Sequence, residues 1–135
     1  MNPIEERLGL LRATLLSITK IVVEILQDER RFISELNRNQ LDDGEKANGQ
    51  NMPNYKPGSK SPSAPGKIKL FDTGEFHASI EPLFDRDEFE LVSTDEKADI
   101  LINRYGQILG LNAESLNLLR ERVRIRLIAR LNEIL

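Results

Sequence analysis

Ile4, Leu8, Leu11, Leu15, Ile18, Val22 and Ile25 recur at alternating intervals of four and three residues. That spacing predicts a helix with a heptad stripe of apolar side chains. The stripe continues through Glu29 to Phe32 and Leu36, so one of its positions is charged. Leu10, Leu16, Ile21, Val23, Leu26 and Ile33 widen the apolar surface beyond a narrow seam. Asn2 suits the N-cap, Pro3 the first helical position, and Glu5 and Glu6 the positive end of the helix dipole. The run "DERR" at 28–31 is the expected point for a bend or break. So much apolar surface needs a cover, from the rest of the domain, from a second copy or from another protein.

Periodicity then stops. Residues 37–66 are rich in Asn, Gly, Ser, Pro and Lys, with Met52 and Tyr55 as the substantial anchors. A stretch of this length without a pattern reads as an extended arm that orders on a partner, or as a loose insertion. Alternation returns with Phe76, Ala78 and Ile80, and again with Phe89, Leu91 and Ser93. The two runs predict a hairpin turning at "DRDE", 85–88, with Pro82 placing its strand at an edge or a bulge. Thr94 or Asp95 can cap a short helix over 96–105 that Gly106 ends. Asn112 can cap a last helix whose apolar face is Leu116, Leu119, Val123, Leu127, Leu131 and Ile134.

The expected fold class is therefore α+β: a long N-terminal helix (1–36), an extended loop (37–68), a β-hairpin forming a small antiparallel sheet (69–94), and a helical part with a short helix and a C-terminal helix (95–135). At 135 residues these make a single domain. With 39% apolar but only 5% aromatic residues, the core should be mostly aliphatic.

Charge adds an asymmetry. Residues 71–99 hold ten acidic side chains against Arg86 and Lys97, a balance of -8 in a chain whose net charge is -3, leaving +5 elsewhere. Uneven charge of this kind suits docking between surfaces of opposite sign. Arg122, Arg126 and Arg130 align on one side of the last helix and could face phosphates or an acidic partner, such as the hairpin of a neighbouring copy.

Candidate chemistry is sparse. There is no Cys, which excludes disulfides and thiolate ligands. His77, the one histidine, falls by alternation on the outward face of the expected strand beside Glu75, without a nucleophile or metal-ligand spacing. Asp72-Thr73-Gly74 is superficially like the catalytic turn of aspartic proteases, but Glu75 stands where that turn carries Ser or Thr. The Gly- and Lys-containing stretch 48–67 lacks the Walker spacing. No catalytic, metal or cofactor site is expected, and no cofactor. No apolar run reaches the roughly 18 residues of a membrane span, and the acidic N-terminal stretch lacks a signal-peptide pattern. A soluble, cytoplasmically made protein is expected.

The order of the features carries a resemblance. "LNRNQLDDGEKANGQNMPNY", a Lys/Pro/Ser-rich loop, "LFDTGEFHASI", a hairpin ending "FELVSTD", "RYG" and "ILGLNAESL" follow one another. This resembles small virion proteins of tailed phages and prophages of Bacteroidota bacteria. More distantly it is similar to the tail-completion or head–tail joining proteins and the virion-morphogenesis family, whose L-x-x-T-G-x-L-x-x-S-I pattern is occupied by Leu70, Thr73, Gly74, Phe76, Ser79 and Ile80. Phe76 replaces the family's more usual Leu, and Tyr105-Gly106 stands where its "YA…EFG" run would be.

The resemblance implies a structural role without enzymatic activity, in the neck or tail end of a virion after assembly in the host cytoplasm. The chain would form a ring with copies of itself, six-fold or twelve-fold, and meet neighbouring neck and tail proteins. DNA would pass only through the channel, and no membrane would be involved. The turn Phe71, Asp72, Thr73, Gly74 and Phe76, with Ser79 and Ile80, would form the interface motif, its two phenylalanines pinning the turn to the core. Met52, Tyr55, Lys56 and Lys60 would supply loop contacts. The alternative reading is a helical adaptor that binds a partner through the heptad face of residues 4–36.

Overall fold

The computed structural model describes residues 2–134. In chain order it contains helices α1 (Pro3–Asp28) and α2 (Arg30–Asp42), a helical turn α3 (Glu75–Ala78), strands β1 (Ile80–Asp85) and β2 (Glu88–Ser93), and helices α4 (Ala98–Tyr105) and α5 (Ala113–Ile134). The architecture is α+β, mostly helical, with one two-stranded antiparallel sheet.

α1 begins at a capping box. The Asn2 side chain accepts from the Glu5 amide at 2.8 Å, and the Glu5 carboxylate accepts from the Asn2 amide. The helix breaks at Glu29, whose φ of -92° and ψ of 16° leave the helical region. This is within the 28–31 run where the sequence places a break. The charged position in the heptad stripe explains it. Glu29 is buried, but its carboxylate is received by Arg122 and Arg126 of α5. An ion pair with two guanidinium partners makes a buried carboxylate tolerable there.

α2 is the central post of the fold, and it runs six residues further than the boundary at 36 expected from the sequence. Ile33, Leu36, Asn37, Gln40 and Leu41 are all buried and follow the i, i+3, i+4, i+7, i+8 spacing of one helix face. Asn37 and Gln40 belong to that face because their amides have backbone partners about seventy residues away. Asn37 donates to the Ile108 carbonyl at 3.0 Å and accepts from the Gly110 amide at 2.8 Å. Gln40 donates to the Gly110 carbonyl and accepts from the Asn112 amide, both at 2.8 Å. Four hydrogen bonds thus strap the 108–112 segment to α2. Asn112 in turn caps α5, its side chain accepting from the Ser115 amide at 3.0 Å.

Every remaining part adds to the same core. Met52, Phe76, Ile80, Leu91, Ala98, Ile108 and Leu119 join Ile33, Leu36 and Leu41 in one buried cluster. Met52 comes from the stretch expected to be an extended arm. That stretch is folded back at its base by bridges between Glu45 and Asn51 and between Asn54 and Lys67. Its tip, which includes Lys56 and Lys60, remains exposed.

The hairpin differs from expectation at its start. Residues 75–78 form a turn of helix, with the Ala78 amide bonded to the Gly74 carbonyl and the Ser79 amide to that of Glu75. The strand begins only at Ile80. The apparent alternation of Phe76, Ala78 and Ile80 is accidental, because Gly74 sets a left-handed entry that favours a helical turn. From Ile80 the register is regular, from Ile80 opposite Ser93 to Asp85 opposite Glu88. Pro82 sits opposite Leu91 without a bulge, in a sheet where both strands are edges. α4 starts at Ala98, two residues after the expected position, because Asp95 organises the turn before it and accepts from the Lys97 amide. Gly106, at φ 82°, ends it as its sequence position implies.

Asn37→Leu removes two hydrogen bonds and strands a buried carbonyl and amide. It is expected to destabilise the domain by about 2–4 kcal/mol in urea unfolding. Ser34→Ala, which removes only a bond to the Arg30 carbonyl within α2, is expected to cost well under ~1 kcal/mol.

Candidate functional site

The turn at 71–80 is built around its glycine. Gly74 has φ 85°, and a Cβ placed there would lie 3.0 Å from Cζ of Phe71. Asp72 and Thr73 serve the turn locally: Asp72 accepts from the Ser61 hydroxyl at 2.7 Å, and Thr73 accepts weakly from the Glu75 amide at 3.4 Å. Ser79 bonds the Phe76 carbonyl at 2.6 Å and meets the Ser93 hydroxyl across the hairpin. Ile80 and Phe76 are buried.

Two expectations are corrected here. Phe71 does not pin the turn into the core. It is 44% exposed and lies edge-on to His77, with ring centroids 5.0 Å apart. His77 is not an outward strand residue. It is buried because the helical turn rotates it inward. Its Nε2 lies 2.7 Å from the Lys69 carbonyl, which can only accept, so that nitrogen carries the proton. Nδ1 is 3.7 Å from Asp42. His77 thus ties the 69–77 turn to itself. Arg38 completes the tie by donating to the carbonyls of His77 at 2.7 Å and Ile80 at 3.3 Å. The turn motif is a joint that fixes the hairpin on α2, with most of its polar groups already engaged.

The expected loop contacts separate. Met52 is a core residue, Tyr55 is half-buried, and Lys56 and Lys60 stand free in solvent. The arginine face is likewise reassigned. Arg122 pairs with Glu29, Arg126 with Glu29 at 2.9 Å and Asp28 at 3.3 Å, and Arg130 with Glu24 at 3.1 Å. Arg122 also lies over the Phe32 ring, 4.3 Å from its centroid. Arg126 and Arg130 link α5 to the end of α1, and Arg122 links it to the break and to α2, so the acidic partners they meet are in the same chain.

An open groove of about 840 Å³ lies between β2, α4 and the 106–111 segment, floored by Leu91, Ile102, Leu109 and Leu116. Among the described residues no three or more His, Asp or Glu side chains gather as a metal site, and no helix is long and apolar enough to cross a membrane.

The largest unsatisfied feature is α1 itself. The pairs from Glu29–Arg122 to Glu24–Arg130 make α5 antiparallel to α1, and α5 is described only to Ile134, one turn past Arg130. Residues 3–17 lie beyond the last of these pairs and are exposed throughout among the described residues. They span about 22 Å at the helical rise. Ile4, Leu8, Leu10, Leu11, Leu15 and Leu16 are between 46% and 72% exposed. The heptad stripe predicted this surface, but its division was hidden: α5 pairs with α1 at Glu24 and Asp28, burial begins partly at Ile18 and is complete at Ile25, and residues 3–17 are exposed.

No protein-family model, curated protein or solved structure matches the chain.

Gly74→Ala combines backbone strain with a close approach to Phe71, so it should destabilise the fold by about 1–2 kcal/mol in urea unfolding. Combining it with Phe71→Ala removes the contact and should recover only part of that loss. A full recovery would mean that φ at residue 74 imposes no strain.

Proposed function

We propose that the chain is an assembly protein that works by binding rather than catalysis, and that α1 residues 3–17 are its principal interface. The observation that carries this reading is the concentration of six exposed apolar side chains, from Ile4 to Leu16, on the first four turns of a capped helix. Exposed apolar surface concentrated in this way marks protein–protein contact. Fully burying a leucine is worth about 1.5–3 kcal/mol, and association costs at least about 4 kcal/mol, so a stable contact needs several of the six exposed apolar side chains together.

The setting we propose is the neck or tail end of a tailed-phage particle, through the resemblance carried by Leu70, Thr73, Gly74, Phe76, Ser79 and Ile80. Two features support repeated contacts of the kind a ring needs. Among the described residues, both outer edges of the hairpin lack a strand partner. Its exposed Glu81, Asp85, Asp87, Glu88 and Glu90 discourage like hairpins from pairing and favour a basic neighbour. The adaptor reading shares the α1 interface and differs only in setting, with a partner outside any particle.

Two measurements test this reading. The protein should be found in purified particles by mass spectrometry, and its absence would end the virion setting. A Leu8→Asp, Leu15→Asp variant should keep the melting temperature of the domain, because neither side chain touches the core, yet fail to enter particles. Incorporation at the wild-type level would remove α1 from the interface.

A further inference from the structure

Charges beside the bare stripe of α1 define what covers it. In heptad terms Leu8 and Leu15 occupy a, Ile4 and Leu11 occupy d, Glu5 and Arg12 occupy e, and Arg7 and Thr14 occupy g. A parallel pair of these helices would set each g residue against the e residue of the next heptad on its partner. Arg7 would then face Arg12 twice. An antiparallel pair sets e against e on one flank, so Glu5 of each helix faces Arg12 of the other, and sets g against g on the other flank, where Arg7 meets the uncharged Thr14 and no like charges oppose.

The antiparallel arrangement also fits in length. It layers Ile4 on Leu15 and Leu8 on Leu11, with a two-fold axis near Gly9 and Leu10. Its contacts run from residue 4 to residue 15, stopping just short of Ile18, where the chain's own packing begins to cover α1. Residues 2–17 carry Glu5 and Glu6 against Arg7 and Arg12, a net charge of zero. They therefore lack the basic face that would draw an amphipathic helix to anionic lipid.

We infer that residues 3–17 of α1 pair with the same residues of a second copy of the chain, antiparallel and across a two-fold axis. A contact of this kind is isologous and closes on itself. The inference rests on the reading of α1 as an interface, and it names the occupant.

The test uses the intact chain in solution. Sedimentation equilibrium should show a dimer, and Leu8→Asp should return it to monomer with the melting temperature that the wild-type chain shows when diluted until it is monomeric. Arg12→Glu should weaken the dimer about tenfold, since it replaces attraction by repulsion at two symmetric exposed pairs. Glu5→Arg combined with Arg12→Glu should restore it. A parallel dimer would instead be strengthened by Arg12→Glu, because residue 12 would then meet Arg7.

Distance gives an independent readout. The chain has no cysteine, so a nitroxide attached at Ser17→Cys labels one site. Its partner should lie about 22 Å away along the helix axis in the antiparallel pair, against about 10 Å for parallel neighbours. A monomer at all concentrations, a dimer strengthened by Arg12→Glu, or the short label distance would each overturn the inference. A monomer that still enters particles through α1 would overturn self-pairing and leave the assembly reading standing.

Discussion

Two side-chain amides on one helix hold the fold together. Asn37 and Gln40 read the backbone of residues 108–112 as a strand neighbour would, each giving one hydrogen bond and taking one. A buried amide is stabilising only when its donor and acceptor capacity is met, and here the geometry meets it at both residues. The strapped segment ends in Asn112, which starts α5. The direction of α5 then decides which part of α1 is covered. Arg126 and Arg130 of α5 meet Asp28 and Glu24 of α1, and Arg122 and Arg126 meet Glu29 at the break, so the segment strapped to α2 places the helix that pairs with the end of α1.

The division of labour follows from charge as much as from apolar contact. Glu29 interrupts an otherwise apolar stripe, and that interruption becomes the break between α1 and α2. The same carboxylate is the anchor for Arg122 and Arg126. Beyond Glu24 toward the N-terminus α1 offers α5 no further acidic partner until Glu6. The ion pairs end at Glu24 and the partial burial of α1 ends at Ile18, and the first four turns of α1 are exposed beyond both.

Much of this was legible in the chain. The heptad stripe, the capping signals at Asn2 and Asn112, the break at 28–31, the stop at Gly106 and the polar hairpin turn rest on local chemistry, which sequence displays. What was hidden depends on partners distant in the chain. Asn37 and Gln40 have the composition of a loop, and only bonds to residues 108–112 make them interior helix. Phe76, Ala78 and Ile80 imitate a strand, but the positive φ of Gly74 turns the chain into a helical turn first. That single turn carried His77 from the expected surface to the interior. The arginines at 122, 126 and 130 were visible as a stripe, but their counter-charges on α1 could be assigned only once the two helices were seen side by side.

The central claim is that residues 3–17 of α1 are left uncovered within one chain and are covered by another. Hydrogen exchange of the backbone amides across α1, followed in the intact protein over a wide range of concentrations, tests it most directly. The account predicts slow exchange for residues 21–28 at every concentration, and protection of residues 7–17 that grows as concentration rises. Protection of residues 7–17 that is strong and unchanged at the highest dilution would show that the limb is covered within its own chain. Fast exchange at every concentration, with and without phage particles present, would show that it is covered by nothing. Either result would contradict the account.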